Sequence, residues 1–392
     1  MTAKSIKDLK PNDKVISCKW VERGLCEQIW GLTCCVHGTL TSPTLVTVDE
    51  IKSGKVDYDL IVKRKQELFE GINGLNDMDI GGCKGCANLY ETEFGKVDFD
   101  SIGGLALPCI FDIQHYTACN ERCTYCCYVK RNQLVPPQYD ILKIFDLFKE
   151  KGKLLKGAHI DFSGGEPSIL KDFDKILTYF MDNEMGDVAV YSNASIYSQT
   201  FCDLLKGGNI SLTTSLDTGL KSTYKKVRGA DLFEQVIENL IKYRNSGTDK
   251  LFLKYVITED NRTDDDMWSF IFAMLAFRPN LVMISPDFPY GDLEIPEETV
   301  KFAAKLWYNI EKYLGNVAHD FTWAMGDPKF VKYHKDLAEE IRLLKEKNPI
   351  CECTRLKPYV YPVCCPQQTK ATLAQKLKRI PAIISLKLSE WF

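Results

Sequence analysis

The stretch LPCIFDIQ (residues 107–114), followed four residues later by CNERCTYCCY (Cys119–Tyr128), decides how this chain is read. A strand-like apolar run feeds a loop that holds Cys119, Cys123, Cys126 and Cys127. The first three are spaced Cys-x3-Cys-x2-Cys, and thiolates so close in sequence select zinc, copper(I) or iron–sulfur clusters. A four-iron cluster takes four ligands, as ferredoxins supply from a related run of cysteines. Here the loop offers three, because Cys127 directly follows Cys126 and its side chain is expected to point away. Three protein ligands leave one metal position open, which is how a metal site admits a substrate or cofactor. A zinc knuckle is the competing reading of the same cysteines.

Outward from this loop, apolar runs alternate with amphipathic ones. AHIDFS (158–163), DVAVYS (187–192), ISLTTS (210–215), LFLKYVI (251–257) and LVMISP (281–286) read as further strands. Between them lie helix-like segments; in the one at 231–247, Phe233, Val236, Ile237, Leu240 and Ile241 share a helical face. Apolar strands alternating with helices predict a parallel sheet with both faces covered. Six such units predict an α/β fold, a partial (β/α)6 TIM-like barrel over 101–320. A doubly wound open sheet is the alternative. Residues 1–100 read as a small cysteine-rich extension, and 321–392 as a helical, cysteine-containing one.

With a cysteine loop of this spacing directly after the first strand, the chain resembles the radical S-adenosylmethionine (SAM) superfamily. The resemblance implies a four-iron four-sulfur cluster on Cys119, Cys123 and Cys126, with Tyr125 as the aromatic residue before the third cysteine. It also implies reductive cleavage of SAM to a 5′-deoxyadenosyl radical that abstracts hydrogen from substrate. SGGEPS follows the second strand, and in the family Gly164, Gly165 and Glu166 would hold the methionine amine of SAM. By the same resemblance Ser192 and Asn193, at the end of the third strand, contact SAM. Ser215 and Asp217, after the fourth, serve its ribose or carboxylate, and Arg228 pairs with its carboxylate. Taken singly these residues have plainer readings, Ser and Asn as turn formers and Arg228 as a surface charge. Their order is the stronger signal, since all sit at the C-terminal ends of successive strands, where barrel active sites are built.

The chain has 16 cysteines, unevenly spread. Cys26, Cys34 and Cys35, with Cys83 and Cys86, resemble the SPASM and twitch extensions that carry auxiliary iron–sulfur clusters in peptide-modifying members, although those extensions normally follow the barrel. Cys351, Cys353, Cys364 and Cys365 form a second group after it. Structural zinc suits either group equally on spacing alone. Cys18, Cys109 and Cys202 read as core thiols. His37 stands close enough to Cys34 and Cys35 to be a ligand, whereas His159 lies inside a strand and reads as a core residue.

Net charge is −3 over 392 residues, with 45% apolar and 26% charged residues. This gives no electrostatic case for nucleic acid as a partner. No apolar leader or membrane-spanning run is evident, so a cytoplasmic protein is expected. The basic tail 370–392 carries an apolar stripe at Leu373, Leu377, Ile380 and Ile384; such a stripe usually packs on its own domain, and contact with an anionic membrane is the other reading. The expected function is hydrogen abstraction from a peptide or protein, aided by an auxiliary cluster and fed by a flavodoxin- or ferredoxin-like reductant. A sugar or cell-surface glycan precursor is the alternative substrate. A non-catalytic thiolate-rich electron carrier or zinc-braced adaptor is the reading from another class.

Overall fold

The computed structural model describes residues 5–35, 42–86, 88–99, 110–287, 294–319 and 328–351. Contacts divide the chain into a unit over Met1–Arg355 and another over Leu356–Phe392; every described residue is in the first.

The N-terminal part runs β1 (Lys14–Ser17), α1 (Lys19–Arg23), β2 (Leu25–Gln28), β3 (Gly31–Thr33), β4 (Thr44–Thr47), α2 (Val48–Lys52), α3 (Tyr58–Ile72) and β5 (Tyr90–Glu93). Next come β6 (Ile110–Gln114), α4 (Cys127–Lys130), α5 (Ile141–Glu150), β7 (His159–Phe162), α6 (Phe173–Asp182), β8 (Asp187–Tyr191), α7 (Gln199–Lys206), β9 (Ile210–Ser215), α8 (Lys221–Arg228) and α9 (Phe233–Asn245). The remaining elements are β10 (Leu251–Ile257), α10 (Asp264–Phe277), β11 (Leu281–Pro286), α11 (Glu297–Tyr313), β12 (Val317–His319) and α12 (Pro328–Lys347).

All six strand-like runs contain an observed strand. They lie in one sheet ordered β12-β11-β10-β9-β8-β7-β6-β2-β3-β4, parallel from β6 to β12. Over β6–β12 the spatial order follows the chain order, with no reversal. A doubly wound sheet needs a switch point, so the β/α units follow the order of a barrel sector. Two features go beyond the sequence reading. β12 adds a seventh parallel strand. The segment before residue 100 does not stay apart from the sheet: β2 pairs parallel with β6, and β3 and β4 continue antiparallel from it.

Alternation along the strands explains where the core sits. Phe111, Ile113, Ile160, Phe162, Val188 and Val190 are buried on the face that packs against helices. There Phe145 of α5 packs between Phe111 and Phe180, tilted against the first and edge-on to the second, with ring centroids 4.9 and 5.5 Å away. The other face is polar, because registry places Asp112 of β6 beside Asp161 of β7. In β6 and β7 the strands are therefore apolar on one face only, whereas β10 and β11 carry Phe252, Val256 and Met283 on the same face as Asp112. Phe145 is fully buried, and Phe145→Ala is expected to cost about 3–5 kcal/mol, read as a lower midpoint in urea unfolding at unchanged slope.

Candidate active site

The cysteine loop leaves the C-terminal end of β6 and is fastened on three sides. On the first, the N–H groups of Thr117 and Ala118 both donate to the Val135 carbonyl, at 2.9 and 2.8 Å. On the second, the Glu166 N–H donates to the Ala118 carbonyl at 2.9 Å. On the third, Arg122 and Thr124 donate their N–H groups to the carbonyls of Arg228 and Val227, each at 2.9 Å. The last turn of α8 leaves such carbonyls without intrahelical partners, so the loop caps the helix while the helix holds the loop.

The two glycines after β7 explain the second attachment. A Cβ on Gly165 would stand 1.9 Å from the Ala118 carbonyl oxygen, and one on Gly164, whose φ is +94°, would stand 2.5 Å from that of Tyr116. The turn thus presses against the backbone that leads into Cys119, and only glycine permits the approach. Glu166 is buried and fully engaged. Its carboxylate accepts from the Ser192 hydroxyl and the Asn193 N–H, both at 2.6 Å, and from the Ser168 hydroxyl and N–H at 2.6 and 3.0 Å. Burial pushes its pKa up, and these donors oppose the rise. The Asn193 amide reaches Asn120 Oδ1 at 2.8 Å, and Asn120 reaches the Ser195 hydroxyl at 2.8 Å. The ends of β7 and β8 are thereby joined to the loop.

A buried ionic network joins it to β9 and α8. The Arg228 guanidinium lies 2.7 Å from Glu121 and 3.1 Å from Asp217, with all three side chains nearly inaccessible. Its Nη1 also meets the Tyr125 hydroxyl. Tyr125 donates to Asp217 at 2.7 Å, and Tyr224 donates to Glu121. Asp217 Oδ1 accepts the Val256 N–H of β10 at 2.8 Å. Burial raises the Asp217 pKa; Arg228, the Val256 N–H and Tyr125 oppose it. All three guanidinium nitrogens of Arg228 are engaged within the protein. Ser215 lies at the end of β9, beside Lys254 of β10. Glu121, Asn120, Ser195 and Tyr224 escaped the sequence reading. The only hint was the acidic residue between the first two cysteines.

On the inner face Asp112 accepts from Gln114 at 2.8 Å and from Ser163 at 3.1 Å. His159 bridges Asp161 and Asp187 at 3.2 and 3.0 Å, and its pKa is raised chiefly by the hydrogen bond to Asp161. Burial pushes the Asp112 carboxyl up to about 8, with Asp161 adding to the rise. An unfolded aspartate titrates near 4. Because the folded pKa is the higher one, the native state holds the extra proton, and stability falls as pH rises from about 4 to about 8. Asp112→Asn is therefore expected to exceed the wild type at pH 8 by about 5 kcal/mol and to match it near pH 4, in urea unfolding. An unchanged difference across that window contradicts this.

Cys119, Cys123 and Cys126 are thiols on one loop. Burial pushes Cys119 up to about 11 and Cys123 higher still. Three thiols with a Cys123-x2-Cys126 turn, closed by a 3.1 Å bond from the Cys126 N–H to the Cys123 carbonyl, are a donor set that fits an iron–sulfur cluster. Among the described residues no three Cys, His, Asp or Glu side chains are already gathered into a metal-ready arrangement.

Among the other cysteines, Cys26 lies in β2, registered beside Asp112, while Cys34, Cys35, Cys83 and Cys86 lie in the N-terminal part. Cys202 is buried in α7, as expected of a core thiol. Cys351 is exposed and disulfide-bonded. Cys109, Cys353, Cys364, Cys365, His37 and the tail 370–392 fall outside the described residues. No described helix is long and apolar enough to cross a membrane.

Residues 113–272 match the family model described as the Radical SAM superfamily, whose cofactors are a four-iron four-sulfur cluster and SAM. A GTP 3′,8-cyclase of Clostridium botulinum is 31% identical over 157 residues, which cover 38% of this chain and 48% of that one. A GTP 3′,8-cyclase 2 of Pseudomonas aeruginosa is 25% identical over 178 residues, 45% of this chain and 53% of that one. The chain thus spans about half the length of these relatives. The structure of Streptococcus suis SuiB bound to S-adenosylmethionine aligns with a TM-score of 0.45 at 14% identity, over 57% of this chain and 53% of that one.

Proposed function

Because residues 113–272 form a radical SAM domain, we propose that this protein is a radical SAM enzyme that takes a hydrogen atom from a peptide or protein side chain. The observation that carries this reading is the fastening of the cysteine loop to the C-terminal ends of β7, β8 and β9 by Gly165, Glu166, Asn193 and the Arg228 network. Cys119, Cys123 and Cys126 would hold the cluster. When bound, cluster and SAM supply a 5′-deoxyadenosyl radical, with an electron from a flavodoxin- or ferredoxin-like protein.

The remaining work falls to this chain's own residues. Gly164, Gly165 and Glu166 keep the loop in register with the sheet. Ser192, Asn193, Ser215 and Asp217 line the same rim and frame the place where SAM would lie. Tyr125 and Arg228 hold the loop's second half against α8.

The peptide reading rests on the likeness of the N-terminal cysteines to the extensions of peptide-modifying members. The relatives' names specify GTP, but likeness over half their length leaves their substrate with them. The test is anaerobic incubation with SAM, reductant and peptides from cells grown on deuterated amino acids. Deuterium in 5′-deoxyadenosine is expected. Unlabelled product with peptides, together with GTP that binds and accelerates SAM cleavage, would overturn the peptide reading.

A further inference from the structure

The inner face of the sheet carries a polar group where β2, β6 and β7 adjoin. Register sets Asp112 beside Asp161, and Gln28 of β2 beside Gln114, on the side away from Phe111 and Phe145. Asp112 is buried and its partners are neutral: Ser163 donates to Oδ1 at 3.1 Å and Gln114 to Oδ2 at 2.8 Å. Asp161 has His159 at 3.2 Å, but that imidazole is shared with Asp187 at 3.0 Å. A buried carboxylate without a counter-charge is costly. That cost is what pushes Asp112 up to about 8, with Asp161 adding to it.

A second observation on the same face points to a ligand. The Gln28 carboxamide is buried, with the residue 1% exposed, and neither its nitrogen nor its oxygen has a hydrogen-bond partner. Gln114 beside it is engaged elsewhere: its oxygen accepts from Tyr128 and its nitrogen donates to Asp112. A buried amide left unpaired destabilises the fold, so Gln28 weakens the unliganded chain and offers an acceptor next to the two carboxyls. The space above them is open. Tyr191 reaches the same face at the end of β8, an interior strand, and is 38% exposed.

Depth and charge together select what can reach this group. Asp161 lies three residues before Gly164 on its strand, roughly 10 Å below the rim at about 3.3 Å per residue. A side chain that enters past the Gly164–Glu166 turn must be long to reach it, and must bring N–H donors and a positive charge. Lysine and arginine meet these conditions. At pH 7 a cation that displaces the Asp112 proton overcomes one pKa unit, about tenfold, which a charge-assisted hydrogen bond recovers. Lys254 shares the face but belongs to β10, three strands from Asp161, so the acidic and basic sides of the interior stay apart. We propose that the substrate residue admitted to the barrel interior carries a cationic side chain, lysine or arginine, held by Asp112, Asp161 and the Gln28 carboxamide oxygen. This rests on the reading of the protein as a peptide-modifying radical SAM enzyme and narrows its substrate.

The test uses the full chain, reconstituted anaerobically with iron and sulfide and incubated at pH 8 with SAM, reductant and peptide pools. Each pool comes from cells grown on one deuterated amino acid: lysine, arginine, leucine or phenylalanine. Deuterium in 5′-deoxyadenosine is expected from the lysine or the arginine pool, and only background from the other two. Asp112→Asn and Gln28→Leu are each expected to raise the pool concentration needed for half-maximal transfer about tenfold or more. Both are also expected to raise the urea midpoint at pH 8, since one removes a buried uncompensated carboxyl and the other an unpaired buried amide. A merely structural role would move the midpoint alone. Deuterium from the leucine or phenylalanine pool, and from neither basic pool, overturns the inference and leaves the peptide reading standing. Deuterium from no pool while SAM is still cleaved overturns the peptide reading and the inference with it. Half-maximal concentrations unchanged in both variants overturn the inference alone.

Discussion

Arg228→Met is expected to destabilise the protein by about 3–5 kcal/mol and to lower its iron content after reconstitution. The substitution leaves Glu121 and Asp217 buried without their shared cation. Taking away one member of a buried ionic group costs far more than the group's net contribution, because the remaining charges stay desolvated. Two carboxylates are stranded here. Their neighbours Tyr125 and Tyr224 donate hydrogen bonds but no charge. The loop also loses a fixed partner between Cys119 and Cys126. Arg228→Lys is expected to recover only part, since an ammonium cannot fork between Glu121 and Asp217 as a guanidinium does. Replacing the whole set, with Glu121→Gln and Asp217→Asn beside Arg228→Met, is expected to regain stability relative to the single variant. Urea unfolding and iron analysis measure both effects. They also separate two roles for this arginine. A residue that only held the SAM carboxylate would raise the KM for SAM and leave stability unchanged; one that positions the loop lowers stability and iron together.

Gly165→Ala is expected to reduce SAM cleavage by about 100-fold, the scale of a catalytic group misplaced by roughly 1 Å. The added methyl would stand 1.9 Å from the Ala118 carbonyl oxygen, and that atom belongs to backbone, so no rotamer change relieves the clash. Turn and loop must separate, which breaks the bond from the Glu166 N–H to Ala118 and shifts Cys119, the next residue. Overpacking of this kind costs about 1–3 kcal/mol, less than the loss expected for Arg228→Met, so the variant should fold and fail chiefly in activity. A variant with wild-type turnover would show that the loop tolerates the displacement.

The six parallel strands of the barrel sector were legible because each is an apolar run bounded by turn residues and followed by an amphipathic helix. β12 was not, since three residues carry no periodicity. The N-terminal strands were misplaced for another reason: Leu25–Gln28 looks like any short extended run, and nothing local says that its partner is β6, about 85 residues onward. The spacing of Cys119, Cys123 and Cys126 singled out their loop. Glu121 could not, because in sequence it is one charge in the polar run Asn120-Glu121-Arg122. Only Arg228, 107 residues later, makes its burial tolerable. Gly164 and Gly165 were noticed, but as a place for a ligand to approach, whereas their close neighbour in the structure is the loop's own backbone. Tertiary pairing, which a linear pattern does not encode, decides each of these cases.

The central claim is that Cys119, Cys123 and Cys126, held against the ends of β7–β9, make this chain a SAM-cleaving enzyme. Its most direct test is 5′-deoxyadenosine formation from SAM under anaerobic reducing conditions, with wild type and Cys123→Ala compared after identical iron–sulfide reconstitution. The account predicts product from the wild type and none above background from the variant. Equal product from both, or none from a wild type that holds its iron, would contradict it.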